Sequence, residues 1–115
     1  MPTVHVVNWN AGHDYQPAER YGELVKLTEG QVSIFATDRL LERLARGLVA
    51  FDPQQDYLLL SGNMVVNALA LMLLAWRFPR LRLLVFDNRR DVYVPRTVTN
   101  AILRNLNLAQ NGGGL

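Results

Sequence analysis

Asp56-Tyr57-Leu58-Leu59-Leu60 steps into Ser61-Gly62-Asn63 and then at once into an almost wholly apolar segment, Met64 to Trp76. A short apolar run, a small polar turn and a long apolar run predict a buried strand that delivers the chain into a buried helix. In open α/β sheets that junction lies at the carboxyl edge of the strands, where ligands bind. It indicates a fold class and a place for a site, and it names no reaction.

Upstream, Thr3 to Trp9 reads as a first strand on the strength of Val4, Val6 and Val7. A strand covered on both faces need not alternate strictly. Asn10 to Pro17 interrupts it, Pro17 can open one helical turn over Ala18 to Tyr21, and Leu24 to Thr28 is a short strand closed by Glu29-Gly30. A helix follows over roughly Thr37 to Val49, with Thr37 as its N-cap. Leu40, Leu41, Leu44 and Leu48 face inward, while Arg39, Glu42, Arg43 and Arg46 face outward. Asp52-Pro53 forms a turn before the strand at Tyr57.

Downstream, the second helix, Asn63 to Arg77, is apolar all round, so the rest of the domain or a second subunit must cover it. A homodimer is the expectation. Pro79 ends the helix, Leu81 to Phe86 is a further strand, and Asp87-Asn88-Arg89-Arg90-Asp91 turns the chain into Val92-Tyr93-Val94, a hairpin with Pro95 suited to a sheet edge. The order predicts a small Rossmann-like α/β layered domain, mostly parallel, with a C-terminal antiparallel edge hairpin. Residues 1–98 form the single domain, 99–108 a short C-terminal helix packed on or near it, and 109–115 a flexible glycine-rich tail.

Composition bounds the chemistry. The chain has 115 residues and no cysteine, which excludes disulfides and thiolate chemistry. No signal peptide is evident, and the fifteen positions from Met64 to Phe78 are too few for a membrane span. A cytoplasmic location and no membrane association are expected. The net charge is +2, unevenly spread: residues 1–56 carry eight acidic and five basic side chains, or −3, and the remainder seven arginines against Asp87 and Asp91, or +5. That asymmetry can steer an anionic ligand or let copies attract one another, although an uneven solvated surface accounts for it as well.

Two clusters are candidates for function. Ser61, Gly62 and Asn63 would leave the amides of positions 62 to 65 open to a phosphate or carboxylate. The alternative is an ordinary capped turn, since neither GxGxxG nor GxxxxGK is present. Asn8, Asn10, His13 and Asp14 follow the first strand and would stand beside Ser61 in a parallel sheet, where His13 can do acid–base work with Asp14 orienting it. Their alternative is shaping a loop. His5, inside a strand, reads as structural. Two histidines without HxxH or HExxH spacing give no metal site, Ser61 lacks the GxSxG elbow, and no cofactor is implied. Arg77, Arg80, Arg82, Arg89, Arg90 and Arg96 form a possible interaction surface, with Trp76 and Tyr93 nearby. Strand geometry scatters them over different faces, which disfavours nucleic acid.

With Gly12-His13-Asp14-Tyr15, Ala18-Glu19-Arg20-Tyr21-Gly22, Leu27-Thr28-Glu29-Gly30, Asp56 to Gly62 and Tyr93-Val94-Pro95-Arg96 in view, the chain resembles small uncharacterised proteins encoded by tailed bacteriophages. The likeness spans about residues 4–98. It implies a viral product made inside the host, an accessory or host-directed factor, and it transfers no catalytic assignment.

Three readings follow. The first is a binding module taking an anionic, nucleotide-like ligand at Asn8, Asn10, His13, Asp14, Ser61, Gly62 and Asn63. The second is a non-enzymatic interaction protein acting through the arginines or a dimer interface. The third, an enzyme on a phosphoester with His13 and Asp14, lacks the groups needed to stabilise developing charge unless Arg20 or the helix amides supply them. An enzyme is the less favoured class.

Overall fold

The computed structural model describes residues 1–101 and 103. Five strands form one sheet: β1 (Thr3–Trp9), β2 (Glu23–Glu29), β3 (Tyr57–Leu59), β4 (Arg80–Asp87) and β5 (Val92–Thr99), in the order β2-β1-β3-β4-β5. The first four are parallel, and β5 runs antiparallel to β4. This is the Rossmann-like layering expected from the sequence. β1 is central, with Val4 through Asn8 all buried, which explains why its apolar residues do not alternate.

Two helices, α1 (Thr37–Gly47) and α2 (Met64–Arg77), lie on one face of the sheet. Leu40, Leu44, Leu48, Val66, Ala70 and Leu74 pack there against Val7, Leu58, Leu81 and Leu83. The opposite face is covered in part by a 3-10 helix, Gln16–Tyr21, opened by Pro17. Tyr15, just before it, and Ala18 within it seal Val4, Val6, Leu59, Leu84 and Tyr93.

Several boundaries differ from expectation, each for a local reason. α1 has Ala36, not Thr37, at its N-cap position, with no side-chain cap, and it ends at Gly47, where helix propensity drops. β5 continues past Pro95 to Thr99, because an edge strand can accommodate a missing amide donor. Thr99 therefore belongs to the sheet, not to a terminal helix. The rest of the expected 99–108 helix, apart from Asn100, Ala101 and Leu103, lies outside the described residues, as does the 109–115 tail. Among the described residues, no helix is long and apolar enough to cross a membrane.

His5, expected to be structural, is buried and meets Asp56 at 3.2 Å. Asp56 also accepts the amides of Thr3 and Asp52, each at 3.0 Å, and so ties the start of β1 to the turn before β3. Burial by itself would raise the carboxyl's pKa, but those two amides and His5 outweigh it and hold the group below its ordinary range.

Candidate functional site

The chain leaves β1 toward the face of the 3-10 helix and leaves β3 toward α2. The sheet thus has its topological switch point between these neighbouring strands, the usual place for a ligand. Beside it is a depression of about 690 Å³ lined by Asn8, Trp9, Asn10, Gly30, Gln31, Val32, Ile34, Gly62 and Asn63. Its volume lies in the range of roughly 300–1,000 Å³ typical of small-molecule sites. Among the described residues, no charged side chain lines it.

Asn8 is the organising residue. Its side chain, 4% exposed, accepts the Asn63 amide at 2.8 Å and donates to Thr28 Oγ1 at 2.9 Å and to the Gly30 carbonyl at 3.0 Å. One carboxamide thereby joins the ends of β1 and β2 to the start of α2. Gly62 passes directly over it with φ +76°, and a Cβ there would collide with the Asn8 amide group, so only glycine fits.

The start of α2 caps itself. Asn63 Oδ1 accepts the amides of Val65 at 2.8 Å and Val66 at 3.3 Å. Within α2, Asn67 accepts the Ser61 amide at 3.0 Å and donates to the carbonyls of Ser61 and Asn63, each at 2.7 Å. Of the amides at 62 to 65, those of residues 63 and 65 are therefore engaged by side chains. An anion drawing on all four amides would have to displace Asn8 and Asn63.

His13 and Asp14 do not work as a pair. His13 shares a 2.6 Å hydrogen bond between its Nε2 and the Tyr93 hydroxyl, and its ring packs edge-on against Tyr15 and Phe86. Asp14 instead accepts the Gln16 amide at 2.9 Å, shaping the entry to the 3-10 helix. The junction is nonetheless connected: Tyr15 accepts the Asn10 amide at 2.9 Å and bonds Ser61 Oγ at 2.5 Å. Asn10 also accepts the Gly12 amide at 3.0 Å. Tyr15 and Tyr93 are thus the residues that sequence reasoning missed. The only signal was a lone aromatic in a polar loop and another in an edge strand. Burial, together with the neighbouring Tyr15 and Asp14, pushes the Tyr93 phenol well above its ordinary pKa, so it stays protonated.

The arginines separate. Arg77 donates to the Leu48 and Val49 carbonyls at 2.8 and 3.4 Å, tying α2 to the end of α1. Arg90 pairs with Asp87 at 3.1 Å in the β4–β5 turn, next to Arg89. Arg96 stands opposite Leu83, on the helical side of the sheet, and donates to the Pro95 carbonyl at 2.9 Å. Arg80 and Arg82 share the other face, two residues apart on β4.

No curated protein and no solved structure matches the chain. A family model described as "Phage Pam3 gp32-like protein" matches residues 2–100, nearly the whole described domain. That match takes in both the strand ends tied by Asn8 and the edge hairpin that bears Tyr93. The chain belongs to this phage protein family, as a small, mostly parallel α/β module.

Proposed function

We propose that the protein is a non-enzymatic interaction module whose working surface is the outer face of α2, and that its first partner is a second copy of itself. The observation that carries this reading is the exposure of Met64 (84%), Met72 (54%) and Trp76 (83%), aligned with exposed Ala68 on the side of α2 turned away from the sheet. Large apolar side chains left in water along one helix mark an interaction site. Trp76 alone offers on the order of 200 Å², toward the about 800 Å² per partner of a stable interface.

The spacing favours self-pairing. Around a two-fold axis at the level of Ala70, an antiparallel pair sets Met64 against the partner's Trp76 and Ala68 against the partner's Met72. Large residues then meet small or flexible ones over a helix about 21 Å long. No charge interrupts the stripe before Arg77. Sedimentation velocity tests it: the wild type should dimerise, and a Met72→Glu/Trp76→Glu double variant should stay monomeric with its fold intact. A wild type that remains monomeric at about 100 µM, well above ordinary dimer affinities, or a double variant that still dimerises, refutes the reading.

The depression at the β1–β3 switch point supports a second reading, a small ligand bound at the strand ends. Its neutral amide lining, with two of the four turn amides already engaged, gives less support to an anionic, nucleotide-like ligand than to an uncharged polar one. A thermal-shift screen of nucleotides and nucleosides checks this. Shifts lost in Asn10→Ala and Gln31→Ala, which alter the lining of the depression, would favour it, and no shift from any compound would remove it.

A further inference from the structure

Arg80 and Arg82 project from the face of β4 opposite α2 and stand across from Thr99 and Thr97 of β5. With Pro53, Gln54 and Pro79 they line a cavity of about 490 Å³. Neither arginine has a carboxylate within salt-bridge distance among the described residues, where the ion pairs are His5–Asp56, Lys26–Glu29, Glu42–Arg46 and Asp87–Arg90. The two acids that flank Pro53 and Gln54 in sequence are committed elsewhere. Asp56 is held by His5 and two amides, and Asp52 accepts the Gln54 amide at 2.9 Å.

Arg82 is also pre-positioned. Its guanidinium lies 4.3 Å from the centre of the Tyr57 ring, and Nη1 donates to the Tyr57 hydroxyl at 3.3 Å. The ring of Tyr57 is braced in turn by Tyr21, 5.4 Å away. Nε is sealed from solvent with no acceptor. A guanidinium stacked on an aromatic ring has already lost much of its freedom, and its charge is only partly hydrated. Without a partner acid, such a group is a ready receptor for an oxyanion, and arginine's planar fork matches phosphate.

The geometry points to a phosphate-binding site formed by Arg80 and Arg82 with Gln54, between two proline walls. The ligand chemistry is a phosphate group, free or carried as the monoester of a small molecule. The site is on the sheet face opposite α2, so it stands or falls independently of self-association.

Isothermal titration of the full chain with inorganic phosphate, adenosine 5′-monophosphate and adenosine, at constant ionic strength, tests it. Saturable binding of phosphate or the monophosphate, and none of adenosine, is expected. Equal affinity for the first two would identify the free anion, and tighter binding of the monophosphate would identify the ester. Arg80→Gln and Arg82→Gln should each weaken binding roughly ten- to a hundredfold, while Arg43→Gln on the exposed face of α1 should leave it unchanged. Arg80 is exposed, so its variant remains informative even if loss of the Arg82–Tyr57 stack impairs folding. No saturable binding up to about 20 mM phosphate, equal binding of adenosine, or equal weakening by Arg43→Gln overturns the assignment.

Discussion

Asn8→Ala should cost far more than a single surface-loop substitution. The change removes three hydrogen bonds at once: to the Asn63 amide, to Thr28 Oγ1 and to the Gly30 carbonyl. At about 0.5–1.5 kcal/mol net for each bond, the loss is roughly 1.5–4.5 kcal/mol. Thr28 keeps its own bond to the Val7 carbonyl at 2.8 Å, and the rim of the depression lets water reach the other partners. A value near 3 kcal/mol is therefore expected, a large share of the about 5–15 kcal/mol that holds a domain together. Equilibrium urea unfolding, followed by the fluorescence of Trp9 and Trp76, should show a midpoint lowered by roughly 1.5–3 M. Asn10→Ala is the control, since its side chain accepts only the Gly12 amide in an exposed loop, and it should shift stability by less than about 0.5 kcal/mol. If Asn8→Ala matches that control, the three strand ends are not held by this side chain.

Two further outcomes concern pH. Asp56 has a lowered carboxyl pKa, so its contribution is complete above the ordinary carboxylate value and is lost as pH falls through the folded-state value. Asp56→Asn should be destabilised at pH 7 and lose less additional stability than the wild type between about pH 4 and pH 2.5, and parallel urea-midpoint curves would contradict this. Tyr93 has a raised pKa, so its contribution is complete below the ordinary phenol value and erodes above about pH 10. The wild type should lose more stability than Tyr93→Phe between pH 8 and pH 11, and equal losses would show that this phenol is not held protonated by the fold.

The layout of the domain was legible because its signals are local and redundant. The apolar run ending at Leu60, the polar turn, the apolar helix and the hairpin turn at Asp87–Asp91 each point to one arrangement, and β1 through β5 follow it. The site was legible only by position. Asn8 and Asn63 were correctly brought to one sheet edge, but whether a carboxamide faces a ligand or a neighbouring strand depends on register, which no spacing rule supplies. Asn8 stands level with Thr28 in the β1–β2 ladder, and that pairing directs its amide inward. His13 and Asp14 are adjacent in sequence and yet bond different partners, since a loop imposes no periodicity. The partner of His13 comes from a strand eighty positions away. Asn67 offered a usable signal, a lone amide one turn inside an apolar helix, which implies an acceptor or donor at the preceding turn.

Both outer strands also bear on how copies of the chain can meet. β2 carries Glu23, Lys26 and Glu29, with all three exposed, and β5 carries Pro95 and Arg96. Charged side chains and a residue without an amide hydrogen make poor templates for a neighbouring ribbon. Lateral growth of the pleated layer into a continuous multi-chain array is disfavoured at each margin, and any assembly is steered toward side-chain packing rather than backbone zippering.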